Sequence, residues 1–83
     1  MIVGSADVRR LVESRDPDCS LVLYRGQTAL VAAGDLAADR YPGALPIVTK
    51  REALGMLGRD DPSEREIDEL AATLDTAMSE MGG

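Results

Sequence analysis

Residues 20–33 read SLVLYRGQTALVAA, and this stretch decides the fold class. Ser20–Tyr24 is a run of aliphatic and aromatic side chains with no helical spacing, which suits a strand. Gly26-Gln27 offers a two-residue turn with glycine at its first central position. Thr28–Ala33 is then the returning strand. Both runs are apolar at alternate and at intervening positions. A hairpin of this kind needs cover on both faces, which suits helices on one side and a partner on the other. The rest of the chain is dominated by helical patterns, so the hairpin makes the protein α+β.

Upstream, Ser5 is placed to cap a helix over about residues 6–15, with Asp7 in its first turn and Val8, Leu11 and Val12 at helical spacing. Asp16-Pro17-Asp18 ends that helix. Downstream, residues 35–41 fit either a short helix capped by Asp35 or a loop, and Pro42-Gly43 is a turn. Leu45–Val48 reads as a short third strand, at an edge because Pro46 cannot donate to a ladder. Thr49 and Glu52 form a capping box that opens a helix running to Leu57, and Gly58 stops it. Asp61 with Pro62, or Ser63 with Glu66, then opens a last helix reaching about Met81. The expectation is one small domain over residues 1–83. It has a β-hairpin or three-stranded antiparallel sheet, packed by three to four helices, in the order α-β-β-(β)-α-α.

Charge is divided unevenly along the chain. Residues 60–83 carry eight acids and one base, Arg65, for net −7, whereas residues 1–59 are net +1. The acidic stretch is also the clearest amphipathic helix, with Ile67, Leu70, Leu74, Ala77 and Met81 along one side. Its apolar stripe, Ile67, Leu70, Leu74, Met78 and Met81, is one candidate partner-binding surface. The acidic face, Glu64, Asp68, Glu69 and Asp75, is the alternative. Coiled-coil pairing is not expected. Two to three heptads are too few, and the flanking positions Glu66, Thr73 and Glu80 face Ala71 and Met78 rather than cations.

Composition narrows the chemistry. A chain of 83 residues buries only about 60–65 % of its unfolded surface. Its apolar content lacks Phe and Trp, with Tyr24 and Tyr41 the only aromatic residues. Small domains often compensate with disulfides, metal or oligomerisation. Cys19 is alone and histidine is absent, which leaves self-association as the expected device. Without histidine, acid–base catalysis would rest on carboxylates and tyrosines, and no spacing marks a pair of them. No glycine-rich phosphate loop is present. Asp16, Asp18 and Ser20 begin like a calcium loop, but Leu21 and Gln27 stand where glycine and glutamate are needed. Neither enzyme activity nor a cofactor is expected. Arg9-Arg10, Arg15 and Lys50-Arg51 are basic spots without interleaved aromatics, so direct nucleic-acid binding is not expected either. They suit solvated surface or the docking of an acidic helix from a neighbouring copy. The longest apolar run is far too short for a membrane span, and the N-terminus lacks a signal-peptide pattern. The expected location is the cytoplasm, or the host cytoplasm or virion if the protein is viral. The ending Met81-Gly82-Gly83 resembles that of ubiquitin-like carriers, but those reach their glycines from a strand, and a helix end accounts for two glycines here.

One longer resemblance concerns residues 47–81. Ile47-Val48-Thr49, then Glu52-Ala53, a helix ending near Leu57, the acidic loop Asp60-Asp61, and the stripe Ile67, Leu70, Ala71, Leu74 and Ala77 resemble the opening of tailed-phage head–tail connector (adaptor) proteins. In that family the pattern usually begins the protein, whereas 46 residues precede it here. The aromatic-Gly-Arg step that usually follows the long helix is replaced by Met81-Gly82-Gly83. The resemblance implies a ring-forming viral assembly part without catalytic residues. The expected function is therefore a non-enzymatic interaction or assembly module acting through self-association. The alternative is an acidic inhibitor, of antitoxin or phage anti-defence type, that binds a basic protein surface by mimicking nucleic acid.

Overall fold

The computed structural model describes residues 2–59 and 61–82, with backbone only at 81 and 82. Its elements are α1 (Ser5–Glu13), β1 (Ser20–Tyr24), β2 (Gln27–Val31), α2 (Ala33–Ala37), β3 (Leu45–Thr49), α3 (Lys50–Leu57) and α4 (Glu64–Gly82). The three strands form one antiparallel sheet in the order β2-β1-β3. The architecture is α+β, as expected, with the third strand formed and a helix added between β2 and β3.

The hairpin turns one residue earlier than its glycine suggested. Tyr24 pairs with Gln27, so Arg25 and Gly26 are the central residues, at φ 53° and 81°. Both lie in the left-handed region that a twist-matched two-residue hairpin requires. The Arg25 guanidinium lies 5.0 Å from the Tyr24 ring centroid, a cation–π contact that accompanies the uncommon backbone at Arg25. β3 lies on an edge, as Pro46 demands, and a bulge opposite Leu21 and Val22 accommodates Ile47.

Each face of the sheet is covered by the chain itself. On one face, Cys19, Leu21 and Val48 join Val3, Val8, Leu11, Ala53, Ile67, Leu70, Leu74 and Met78 in the main core. α1 lies against β1 and β2, α3 against β3, and α4 packs over α1 and α3. On the other face Val22 and Val31 are buried just as fully. That side carries the crossing from β2 to β3, whose Tyr41 meets Tyr24 edge-to-face with ring centroids 5.2 Å apart. On this second face the chain's own Tyr41, from the crossing, packs against the hairpin. Aliphatic side chains close the core without Phe or Trp.

Local capping sets the helix ends. The Thr49 hydroxyl accepts the Glu52 N–H at 3.0 Å, and the Glu52 carboxylate accepts the Thr49 N–H at 3.0 Å. Gly58, at φ 75°, ends α3 as expected. For α4 the Ser63–Glu66 box is the one used, with reciprocal bonds of 3.2 and 3.1 Å, and Asp61 is not the cap. Two other expected caps are not formed. α1 begins at Ser5, where the Asp7 carboxylate accepts the Gly4 N–H at 2.9 Å, and the Ser5 hydroxyl points to Asp68. α2 begins before Asp35, which pairs instead with Arg40 at 3.6 Å.

Candidate interaction surface

The apolar stripe of α4 is not the surface expected of it. Ile67, Leu70, Leu74 and Met78 are each 5–7 % exposed and belong to the protein's own core. The physical reason is that α1 and α3 need a third helix to close over them, and α4 supplies it. Helical rotation keeps Met78 in the stripe and puts Ala71, not Ala77, beside it. At about 100° per residue, Met78 falls about 20° from Ile67 on the wheel and Ala77 about 80° away. Ala71 and Met78 accordingly face inward, while Ala77 is exposed. The Met81 side chain lies outside the described residues, as do Asp60 and Gly83.

The acidic face is not a bare anionic array. Glu64 is ion-paired with Arg9, and Asp68 accepts the Ser5 hydroxyl proton. Asp75 accepts the backbone N–H groups of Ile2 and of Val3, the latter at 3.0 Å. These bonds hold the Asp75 carboxyl below its ordinary range, with the Val3 N–H the larger cause. Val3 is fully buried, so Asp75 fastens the start of the chain into the core. Asp7 does related work on α1. Burial opposes its ionisation, but bonds from the Gly4 N–H, the Thr28 hydroxyl (2.9 Å) and Arg10 outweigh that and hold its carboxyl low. The basic spots are engaged similarly: Arg9 with Glu64, Arg10 with Asp7, Arg51 with Asp18, and Lys50 with the Ser14 carbonyl.

The surface left over lies where α3 meets α4. Met56, Leu57, Glu66, Glu69, Leu70 and Thr73 line an open groove of about 440 Å³. Met56 is 63 % exposed, more than Leu45 (51 %) or Leu30 (38 %), the other large apolar side chains exposed among the described residues. Leu45 and Leu30 sit on the edge strands, whereas Met56 lines the groove. Its place follows from the short α3. Ala53 points into the core and Leu57, four residues on, packs beside it, which leaves Met56 on the outer shoulder. The groove's rim carries both charge signs. Arg59 pairs with Glu66 at 3.4 Å and Arg65 with Glu69 at 3.3 Å. The Ser63 N–H holds the Glu66 carboxyl below its ordinary range, and Arg59 adds to this. Sequence reading missed this site. Its signal was an apolar residue beside Gly55 on a helix with room to spare, and nothing local said that side would stay open.

No family model, curated protein or solved structure matches this chain. Among the described residues no group of three or more His, Cys, Asp or Glu is placed to hold a metal ion. Among them too, no helix is long and apolar enough to cross a membrane.

Proposed function

We propose that this chain is a non-enzymatic protein-interaction module that works through self-association, using the α3–α4 groove and not the α4 stripe. The observation that carries this reading is Met56, the most exposed of the large apolar side chains among the described residues, standing in a groove. The resemblance of residues 47–81 to phage connector proteins supports an assembly role. Net charge adds a constraint. Two copies at −6 each repel, so they meet best where local charge cancels. The groove rim, with Arg59 and Arg65 beside Glu66 and Glu69, is such a place.

Light scattering from micromolar to millimolar protein tests this. A mass of at least a dimer is expected at the upper end. Association should tighten as salt rises from about 0.01 to 0.15 M, because the screening length falls from about 30 to 8 Å and the net repulsion fades. A monomer at millimolar concentration in both salts sinks the proposal. Tight binding to a basic protein that weakens with salt would instead favour the acidic-inhibitor reading.

A further inference from the structure

We infer that the outer edge of β2 is a docking site for an extended acidic segment of another protein, which adds a fourth strand to the sheet. The site is separate from the α3–α4 groove, and it follows from a difference between the two edges of the sheet. In a two-residue hairpin the residues flanking the turn form a hydrogen-bonded pair, and such pairs recur at every second residue. Here they are Tyr24 with Gln27, Val22 with Ala29 and Ser20 with Val31. The Lys50 N–H donates to the Cys19 carbonyl at 2.9 Å, in keeping with the odd-numbered residues of β1 bonding toward β3. The N–H and C=O groups of Thr28 and Leu30 therefore point away from the sheet, and β2 has no strand beyond it. Two donors and two acceptors, repeating at about 6.8 Å along one line, are the pattern that a further strand matches.

The β3 edge is protected and the β2 edge is not. β3 carries Pro46 and a bulge, and the Thr49 N–H at its end is taken by Glu52. β2 has no proline, no bulge and no charged residue. Leu30 pairs with Leu21 and so shares the core face of the sheet, yet it is 38 % exposed because the sheet ends there. An apolar side chain laid opposite Leu30 extends the core by one strand. Charge fixes the rest of the segment. The Thr28 hydroxyl and Arg10 both bond to Oδ1 of Asp7, which sets the exposed Arg10 guanidinium beside Thr28. The exposed Arg25 lies in the turn next to Gln27. Asp7 is already engaged by Gly4, Thr28 and Arg10, and α1 stands between β2 and the acids of α4. The edge thus has a cationic rim on an acidic chain. An antiparallel segment with an apolar residue at Leu30 and acids toward Thr28 and the turn complements it. A second copy offers no acid in its own β2 and adds its net charge of −6 to the repulsion.

The test uses the whole chain and a capped synthetic peptide that alternates threonine with valine, its last two valines replaced by glutamate. A counterpart carries lysine at those two positions. Backbone amide NMR shifts read binding, and amide exchange reads where the peptide lies. The acidic peptide at millimolar concentration is expected to shift the Thr28 and Leu30 amides and to slow their exchange, leaving the β3 edge unchanged. The lysine peptide should bind about tenfold more weakly, and raising salt from about 0.15 to 1 M should narrow that gap. Arg25→Asn keeps a residue type that tolerates the left-handed backbone there and should remove part of the preference for glutamate. Leu30→Pro deletes one outward N–H and none that bonds to β1, so it should abolish binding. If that variant fails to fold, slowed exchange at Thr28 and Leu30 in the wild type decides alone. No effect of either peptide at these two amides overturns the edge site. Equal binding of the two peptides overturns the acidic partner. Exchange at the two amides that slows with protein concentration alone puts a second copy on the edge and overturns the peptide. None of these outcomes bears on self-association through the α3–α4 groove, which light scattering decides.

Discussion

The two flanks of α4 hold similar residues and do different work. On the flank facing α1, Glu64 meets Arg9, Asp68 meets Ser5 and Asp75 holds the N–H groups of Ile2 and Val3. On the flank facing α3, Glu66 and Glu69 meet Arg59 and Arg65 at the surface, beside the exposed Met56. A helical wheel separates the acids, since Glu64, Asp68 and Asp75 fall about 60–100° to one side of Ile67 and Glu66 and Glu69 about 100° and 160° to the other. Acidity alone thus says little about a helix face. The partner decides whether a carboxylate closes the fold or decorates it. A carboxylate that accepts backbone N–H groups is committed, because its removal strands donors beside a buried side chain. A carboxylate paired with an exposed arginine is free to exchange, because water competes for both ions.

The strongest challenge to this division is at its centre. Leu74→Ala, in the stripe between the flanks, should cost about 2–5 kcal/mol in chemical denaturation, because the side chain is buried and the site cannot collapse fully. A loss near zero would mean that α4 does not close the core. Next comes the α1 flank. Asp75→Ala should be the most damaging of the charge variants, and Glu64→Ala much milder. The Asp75 effect should also depend on pH. The folded-state pKa of Asp75 lies below the ordinary aspartate value of 3.8, so its contribution is full above that value and is lost as pH falls through the folded pKa. Wild type should therefore lose its advantage over Asp75→Ala in acid, and parallel stability curves from pH 7 to 2 would contradict the clasp.

A smaller effect sharpens where the two flanks begin. Ser63→Ala should cost about 1 kcal/mol by removing the hydroxyl that accepts the Glu66 N–H, whereas Asp61→Ala should be nearly silent. The reverse order would move the start of α4. The smallest effect belongs to the α3 flank. Glu69→Gln should change monomer stability by no more than about 0.5 kcal/mol, since its pair with Arg65 is an exposed one. A larger loss would make this flank as structural as the other.

Much of the fold was legible because its signals are local. The strand at Ser20–Tyr24, the Thr49–Glu52 box, the stop at Gly58 and the edge position that Pro46 imposes each depend on residues within a few positions of one another. Other features needed a partner far along the chain. Ser5 looked like a cap, but its hydroxyl goes to Asp68, 63 residues away, and Asp75 reaches back 72 residues to Val3. Of the site residues named from sequence, the stripe was read correctly as apolar and amphipathic, yet its occupant proved to be α1 and α3. The groove at Met56 was not legible at all, because a residue's exposure depends on what does not pack against it.

By itself, then, the sequence determined the α+β class, most element types, the concentration of negative charge in the last helix and the rotation of its apolar stripe. Backbone hydrogen bonding, side-chain periodicity and the fixed charges of Asp, Glu and Arg decide these within each segment. Tertiary structure alone decided that Tyr41 packs on the far face of the sheet, that one flank of α4 is tied to the start of the chain, and that the other is left open beside α3. These outcomes depend on where separate elements come to rest. The free energy that settles them is the burial of Val3, Val22, Val31 and the α4 stripe, which no single segment can achieve alone.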